Sequence, residues 1–181
     1  MHVGRRLSSL VAICALALLG VGAMGATAAG KPARSLAAAD QLESGVLAEL
    51  NAIRRSHGLA PVHLSSPLSA AADAHSRSMA TFGYFEHESR DGSAFWKRIQ
   101  RFYGPTGYDT WSVGENLLWS SGGVDASRAL KLWMASPGHR ANILTARWRE
   151  VGLSAVTVAG APGVYGGRDV VIITTDFGIR S

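Results

Sequence analysis

Residues 133–144 read WMASPGHRANIL and join the end of one predicted helix to a histidine, an arginine and an apolar pair. Asp125 can cap this helix, whose apolar positions recur at helical spacing: Ala126, Ala129, Leu130 and Trp133. Pro137 and Gly138 predict the end of the helix. His139 follows at that end, where a protonated ring would be stabilised by the helix dipole and could hydrogen-bond the last carbonyls.

Strands are predicted on both sides of this segment. Residues 113–119 come before it, and residues 150–158 and 169–175 after it, the last two rich in Val, Ile and Thr. Turn signals at residues 160–163 and 166–167 separate the last two strands and predict a hairpin. The strands together predict a small, mainly antiparallel sheet.

Three further helices are predicted before the first strand. The first runs over residues 40–57, with Asp40 as its cap and Glu43 at the reciprocal position. The second begins at Ser66 and ends before Gly83, with one apolar stripe: Leu68, Ala72, His75, Met79 and Phe82. Because His75 belongs to this stripe, its side chain is predicted to point toward the interior. A short helix over residues 95–103 follows, and the whole reads as an α+β domain with helices covering the sheet.

The N-terminus predicts a secretory signal peptide over residues 1–28. Arg5 and Arg6 precede an uncharged run from Leu7 to Gly30, and Ala26-Thr27-Ala28 supplies the small-x-small pattern of a cleavage site. An uncleaved anchor is the alternative reading of this run. Residues 29–39 then form a spacer and residues 40–181 a single domain. The chain is therefore expected to be secreted, into the periplasm or beyond, and to meet a membrane only if the signal stays uncleaved.

Composition excludes several classes of site. The one cysteine of the chain, Cys14, lies within the predicted signal, so the mature protein has no disulfide, no thiolate metal site and no cysteine nucleophile. The net charge of +5 is mild and the basic residues are scattered, which argues against nucleic-acid binding. We expect a monomer that folds on its hydrophobic core.

An ordered set of short motifs resembles one known family over nearly the whole mature chain. Besides residues 133–144 the motifs are residues 50–62, 74–79, 84–87 (Tyr-Phe-Glu-His), 114–116 (Gly-Glu-Asn), 150–152 and 174–178. In this order they are similar to bacterial members of the CAP superfamily, which includes cysteine-rich secretory proteins, antigen 5 and pathogenesis-related 1 proteins. The resemblance implies a three-layer α-β-α sandwich with one cleft.

In better-studied CAP proteins the cleft holds two histidines and two acids that can take a divalent metal. Carried over by position, His75 looks like the first histidine and Glu115 like the first acid. Ser136 and Arg147 stand near the places of the other two ligands. His139 and His87 are the available substitutes, and we expect at most weak binding of zinc or another divalent cation by His75, Glu115 and His139.

Each of these residues also has a purely structural interpretation. His75 could be a satisfied core histidine, and Glu115 could be tied to backbone amides or salt-bridged to Arg140. His139 could interact only with the end of its helix. His87, which has acidic neighbours in the sequence, could simply be exposed to solvent.

Three functions remain open at this point. The leading hypothesis is a binding module for a small hydrophobic or cell-wall ligand, or for a metal. A metal-dependent hydrolase would use His75 and Glu115 to activate water, but H-E-x-x-H, G-x-S-x-G and S-x-x-K motifs are missing. A structural or adhesive envelope protein would use the scaffold alone, since a fold does not determine a function.

Overall fold

The computed structural model describes residues 32–181, so the predicted signal peptide lies outside the described residues. The helices are α1 (Pro32–Ser56), α2 (Ser66–Phe82), α3 (Phe95–Gln100), α4 (Ala126–Ala135) and α5 (Pro137–Ile143), and the strands are β1 (His63–Leu64), β2 (Trp111–Ser121), β3 (Glu150–Ala161) and β4 (Arg168–Arg180). No helix in this part of the chain is both long and apolar enough to cross a bilayer.

The four strands form one sheet in the order β1-β3-β4-β2. β4 pairs antiparallel with both β3 and β2, and only the short β1 is parallel to its neighbour β3. The register places Glu115 of β2 opposite Asp176 of β4. The prediction of a small, mainly antiparallel sheet is confirmed.

Alternate residues of the strands enter different apolar clusters on the two faces of the sheet. Ile173 and Phe177 of β4 pack with α1 and α4, whereas Val170 and Ile172 pack with α2. Burial of large apolar side chains on both faces is the main favourable contribution to folding. The result is the predicted α-β-α sandwich.

Side chains from the helices close the outer edges of the sheet. On β3, the backbone N–H of Ala155 donates to Glu43 of α1 at 2.8 Å, and that of Leu153 donates to Ser69 of α2 at 3.2 Å. On β2, the side-chain amide of Asn142 donates to the carbonyl of Glu115 at 3.1 Å. The indole N–H of Trp133 donates to the carbonyl of Leu117 at 2.9 Å. These bonds satisfy strand groups that no neighbouring strand reaches.

Gly152 lets α2 lie directly on β3. A Cβ atom at this position would stand 2.0 Å from the carbonyl carbon of Leu68, which is helix backbone and cannot turn aside. The absence of a side chain at Gly152 therefore sets the distance between α2 and the sheet.

The beginning of α1 differs from its prediction. Asp40 is not its cap, because the helix begins at Pro32 and Ala38 and Ala39, which are strong helix formers, lie within it. Glu43 is not a reciprocal capping residue either, since its carboxylate accepts the N–H of Ala155.

Two aromatic residues near the ends of α2 and α3 are exposed. Phe82 ends the predicted stripe of α2 but is exposed, and the guanidinium of Arg90 lies 3.9 Å from its ring centroid. The third helix ends at Gln100, so the chain turns before Phe102, which is exposed, and buries Tyr103 instead. The rest of the α2 stripe is buried as predicted, including His75.

Candidate ligand-binding cleft

A cavity of about 490 Å³ lies beside β2, between that strand and α5. Eight of its twelve lining residues have polar side chains: His87, Glu115, Asn116, Ser136, His139, Asn142, Thr145 and Arg147. The larger apolar groups that line it are Val113 and Trp148. This cleft collects three of the four histidine and acid positions that the sequence singled out.

Glu115 projects from the middle of β2 and is only 6% exposed. One carboxylate oxygen accepts a hydrogen bond from His87 Nδ1 at 2.8 Å, and the other forms an ion pair with the guanidinium of Arg98. The suggested pairing with Arg140 is wrong. Arg140 belongs to α5, on the side that Asn116 faces, and side chains of successive strand residues point to opposite faces.

Arg98 of α3 holds the histidine-bearing loop against the strand. Besides Glu115, this buried guanidinium donates to the carbonyl of His87 at 3.2 Å and to the hydroxyl of Ser89 at 3.3 Å. A charged donor with three acceptors fixes a loop far better than a neutral one. His87 is thereby brought to Glu115, whose hydrogen bond raises the pKa of the His87 ring above its usual value despite partial burial.

A pair of asparagines fixes α5 to β2. Asn116 donates to the carbonyl of His139 at 3.1 Å, and Asn142 donates to the side-chain oxygen of Asn116 at 3.1 Å. Trp148 in turn donates to the carbonyl of Asn142 at 2.9 Å. These bonds set the position of the His139 side chain at the cleft.

The helix-end interpretation of His139 is wrong. Pro137 does follow the end of α4, but it also occupies the first turn of α5, where proline is well tolerated because its missing N–H would have no partner. His139 therefore lies near the start of a new helix, where the dipole disfavours a cation. Partial burial, with a smaller effect of nearby His87, lowers the pKa of His139.

His75 does not line the cleft. It is 1% exposed on α2, its Nε2 donates to the carbonyl of Glu86 at 2.9 Å, and it borders a separate cavity. Burial lowers the pKa of His75 to about 4. Its ring is accordingly neutral at physiological pH.

Asp176 is an acid that sequence reasoning missed. It lies opposite Glu115, is fully buried, and neither of its oxygens has a hydrogen-bond partner among the described residues. Burial, with the nearby charge of Glu115, raises the pKa of Asp176 well above its usual range. An aspartate within a run of Val, Ile and Thr was the available signal, because such a run predicts a buried strand.

The donors present do not fit a metal ion in this arrangement. Both oxygens of Glu115 are engaged, one of them by a guanidinium whose charge opposes a cation. His75 faces away, and Ser136 and Arg147 line the cleft where further ligands would be needed. Within residues 32–181 no three His, Cys, Asp or Glu side chains are grouped for metal binding.

Comparison with known proteins agrees with the motifs. The family described as CAP, cysteine-rich secretory protein family, matches residues 47–171. The uncharacterized protein YkwD of Bacillus subtilis (strain 168) is 32% identical over 114 residues, which cover 63% of this chain and 42% of that protein. The chain thus spans less than half the length of this relative.

Solved structures share the fold. An extracellular protein of Bacillus anthracis that contains an SCP domain superposes with a TM-score of 0.63 at 26% identity, over 84% of this chain and 45% of that one. An outer surface protein of Borrelia burgdorferi superposes with a TM-score of 0.57 at 16% identity, over 75% of this chain and 90% of the other. Both similar proteins are described as extracellular or surface proteins.

Proposed function

This chain belongs to the cysteine-rich secretory protein family, and on that premise we propose that it is a secreted binding module whose cleft takes a polar, wall-derived ligand. The ligand class is a carbohydrate or peptide fragment of a bacterial cell wall. Export is supported by the extracellular and surface character of the structurally similar proteins and by the signal-like N-terminus.

The observation that carries this proposal is the polarity of the cleft. Eight polar side chains line it, and among them Glu115 is an almost fully buried carboxylate held by two donors. Hydroxyl and amide groups of a sugar or peptide can pair with such a lining. A fatty acid tail would leave without partners the side chains of Ser136, His139 and Arg147, which make no hydrogen bond within the described residues. Each such group that the ligand buries costs about 1–3 kcal/mol. The lining therefore favours a wall fragment over the hydrophobic ligand that the sequence left open.

A cation at the cleft adds to the fit for such a ligand. The guanidinium of Arg147 lies 4.8 Å from the ring centroid of Trp148, which is 2% exposed and stacks on Phe177. A guanidinium placed in this way suits a sugar or peptide that carries a carboxylate. Arg147 is exposed and makes no ion pair within the described residues, so it is free to contact a ligand.

The proposal is tested by isothermal titration of the mature protein with soluble disaccharide-peptide fragments of bacterial cell wall. We expect saturable binding that Arg147→Ala weakens about tenfold, as expected for one lost charge-assisted contact of roughly 1.4 kcal/mol. Arg128→Ala is the matched control, since Arg128 is an exposed arginine on α4 outside the cleft. Binding of a fatty acid in place of the fragments, or equal binding by both variants, would contradict the proposal.

Zinc titration separates this function from a metal-dependent one. Because Glu115 is already paired, we expect no zinc binding at micromolar concentration. Micromolar binding that disappears in both His139→Ala and His87→Ala would instead support a metal centre in the cleft and reopen the hydrolase alternative.

A further inference from the structure

A second cavity, of about 390 Å³, lies between α2, α3 and the loop after α2. Its lining is Ala74, His75, Ser78, Tyr84, Ser89, Arg90, Asp91, Arg98, Arg101 and Phe102. The ion pair of Arg98 with Glu115 stands between this cavity and the cleft, because Arg98 lines one and Glu115 the other. We call it the arginine cavity.

Positive charge dominates the arginine cavity. Three arginines line it against one carboxylate, that of Asp91. Arg98 is neutralised by Glu115, but neither Arg90 nor Arg101 forms an ion pair within residues 32–181. The ring of Phe82 stacks under Arg90 and holds that guanidinium without removing its charge. Two guanidiniums are therefore available to an anion.

Two buried side chains that line the arginine cavity each leave a nitrogen without a partner. Arg98 is 6% exposed and its Nε has no hydrogen-bond acceptor, and His75 is 1% exposed and its Nδ1 has no partner among the described residues. An unsatisfied buried polar group costs about 1–3 kcal/mol. Neither nitrogen is exposed to solvent, so a ligand in the cavity reaches them only after neighbouring side chains shift, and it then supplies the missing hydrogen bonds.

The two unpartnered nitrogens need different hydrogen-bonding groups on a ligand. Arg98 Nε is a donor and needs an anionic oxygen. The Nε2 of His75 donates to the carbonyl of Glu86, so in the neutral ring Nδ1 carries a lone pair and needs a donor. Hydroxyls of Ser78 and Tyr84, which bond each other at 2.8 Å, and of Ser89 can serve either need.

We propose that the arginine cavity is a second ligand site, which takes a phosphate group in its monohydrogen form. The unpaired guanidiniums of Arg90 and Arg101 and the free Nε–H of Arg98 supply donors for the phosphate oxygens, which planar guanidinium groups bind in pairs. The free ion keeps one P–OH proton at neutral pH, and a monoester keeps one near its second pKa of about 6, so either can donate to Nδ1 of His75. Sulfate has the same shape but no such proton at this pH. The phosphate comes either as the free ion or as a monoester.

Isothermal titration with inorganic phosphate at low ionic strength tests this site, with sulfate and glycerol phosphate as parallel ligands. We expect saturable phosphate binding that weakens with added salt and is tighter than sulfate binding. Tighter binding of glycerol phosphate than of phosphate identifies a monoester as the ligand, and the reverse identifies the free ion. Either result supports the site.

Variants at the rim locate the binding. Arg90 and Arg101 are exposed, so their replacement leaves the fold intact, and we expect Arg90→Ala and Arg101→Ala each to weaken phosphate binding at least fivefold. Arg128→Ala again serves as the control and should bind like the wild type. No binding at millimolar phosphate, no effect of Arg101→Ala, or equal affinity for sulfate and phosphate would overturn the proposal. Wall-fragment binding in the cleft is measured separately and does not depend on these results.

Discussion

Arg98 and Asp176 both carry ionisable groups into the interior, and each avoids an unpaired buried charge in a different way. Arg98 is paired with Glu115, which supplies the opposite charge, and two oxygens of the histidine-bearing loop accept further hydrogen bonds from its guanidinium. Asp176 has no such cation of its own, and burial beside Glu115 favours its protonated form.

Asp176→Asn should make stability less dependent on pH. The folded-state pKa of Asp176 is raised, so stability is greatest below the unfolded-state pKa of about 3.9 and is lost as pH rises from there toward the folded-state pKa. Asparagine cannot ionise and has nearly the shape of the protonated acid. Between pH 5 and pH 8, urea unfolding should show that the wild type loses at least about 1 kcal/mol of stability relative to Asp176→Asn.

Asp109→Asn is the control for this comparison, because Asp109 is exposed. It should lose as much stability between the two pH values as the wild type does. If the stability of the wild type and that of Asp176→Asn changed equally over this pH range, Asp176 would be ionised in the folded protein.

For the helices and strands, the sequence predicts regular patterns but not the contacts between distant segments. The stripe of α2 correctly predicted that His75 is buried, because helical periodicity is a local property. The same sequence could not show that Arg98 reaches Glu115, since that contact depends on how α3 packs against β2. α5 was missed because proline both ends one helix and begins another, and only tertiary packing decides which.

Gly152→Ala should be strongly destabilising. The added Cβ would meet the backbone of α2 at Leu68, so helix and strand must separate and the apolar contacts on that face are lost. We expect a loss of about 3 kcal/mol or more in urea unfolding, or no folded protein.

Gly138→Ala is the control for Gly152→Ala, and we expect it not to destabilise the protein. Gly138 lies in α5, and a Cβ there has no heavy atom within 4 Å. Alanine is the better helix former, so stability should stay equal or rise by up to about 1 kcal/mol. Equal effects of the two substitutions would refute the close contact of α2 with β3.

For the whole molecule, stability must come from packing on the two faces of the sheet. Residues 32–181 contain no cysteine, so no disulfide closes any loop in them. A buried arginine ties distant segments together instead: Arg54 of α1 donates to the carbonyls of Ala60, Ile143 and Thr145. The predicted signal peptide and the monomeric state stay predictions.

A reducing agent should leave the thermal stability of the mature protein unchanged. A disulfide contributes about 2–4 kcal/mol, which in a domain of this size corresponds to a melting shift of roughly 5–15 °C. Melting curves with and without dithiothreitol should coincide, and N-terminal sequencing should place the first residue near Ala29. A shift of that size, or a full-length product that retains Cys14, would contradict the assignment of residues 1–28 as a removed signal.

The side chains that close the sheet edges have a consequence for solubility. An open strand edge invites the strand of another molecule, and this pairing starts fibrils and domain-swapped aggregates. Here Ser69 and Glu43 occupy donors along β3, and Asn142 and Trp133 occupy acceptors along β2. A second chain would have to break these bonds before it could pair. Pairing of a second chain along these stretches of β2 and β3 is therefore opposed, which lowers the tendency of the folded protein to form amyloid.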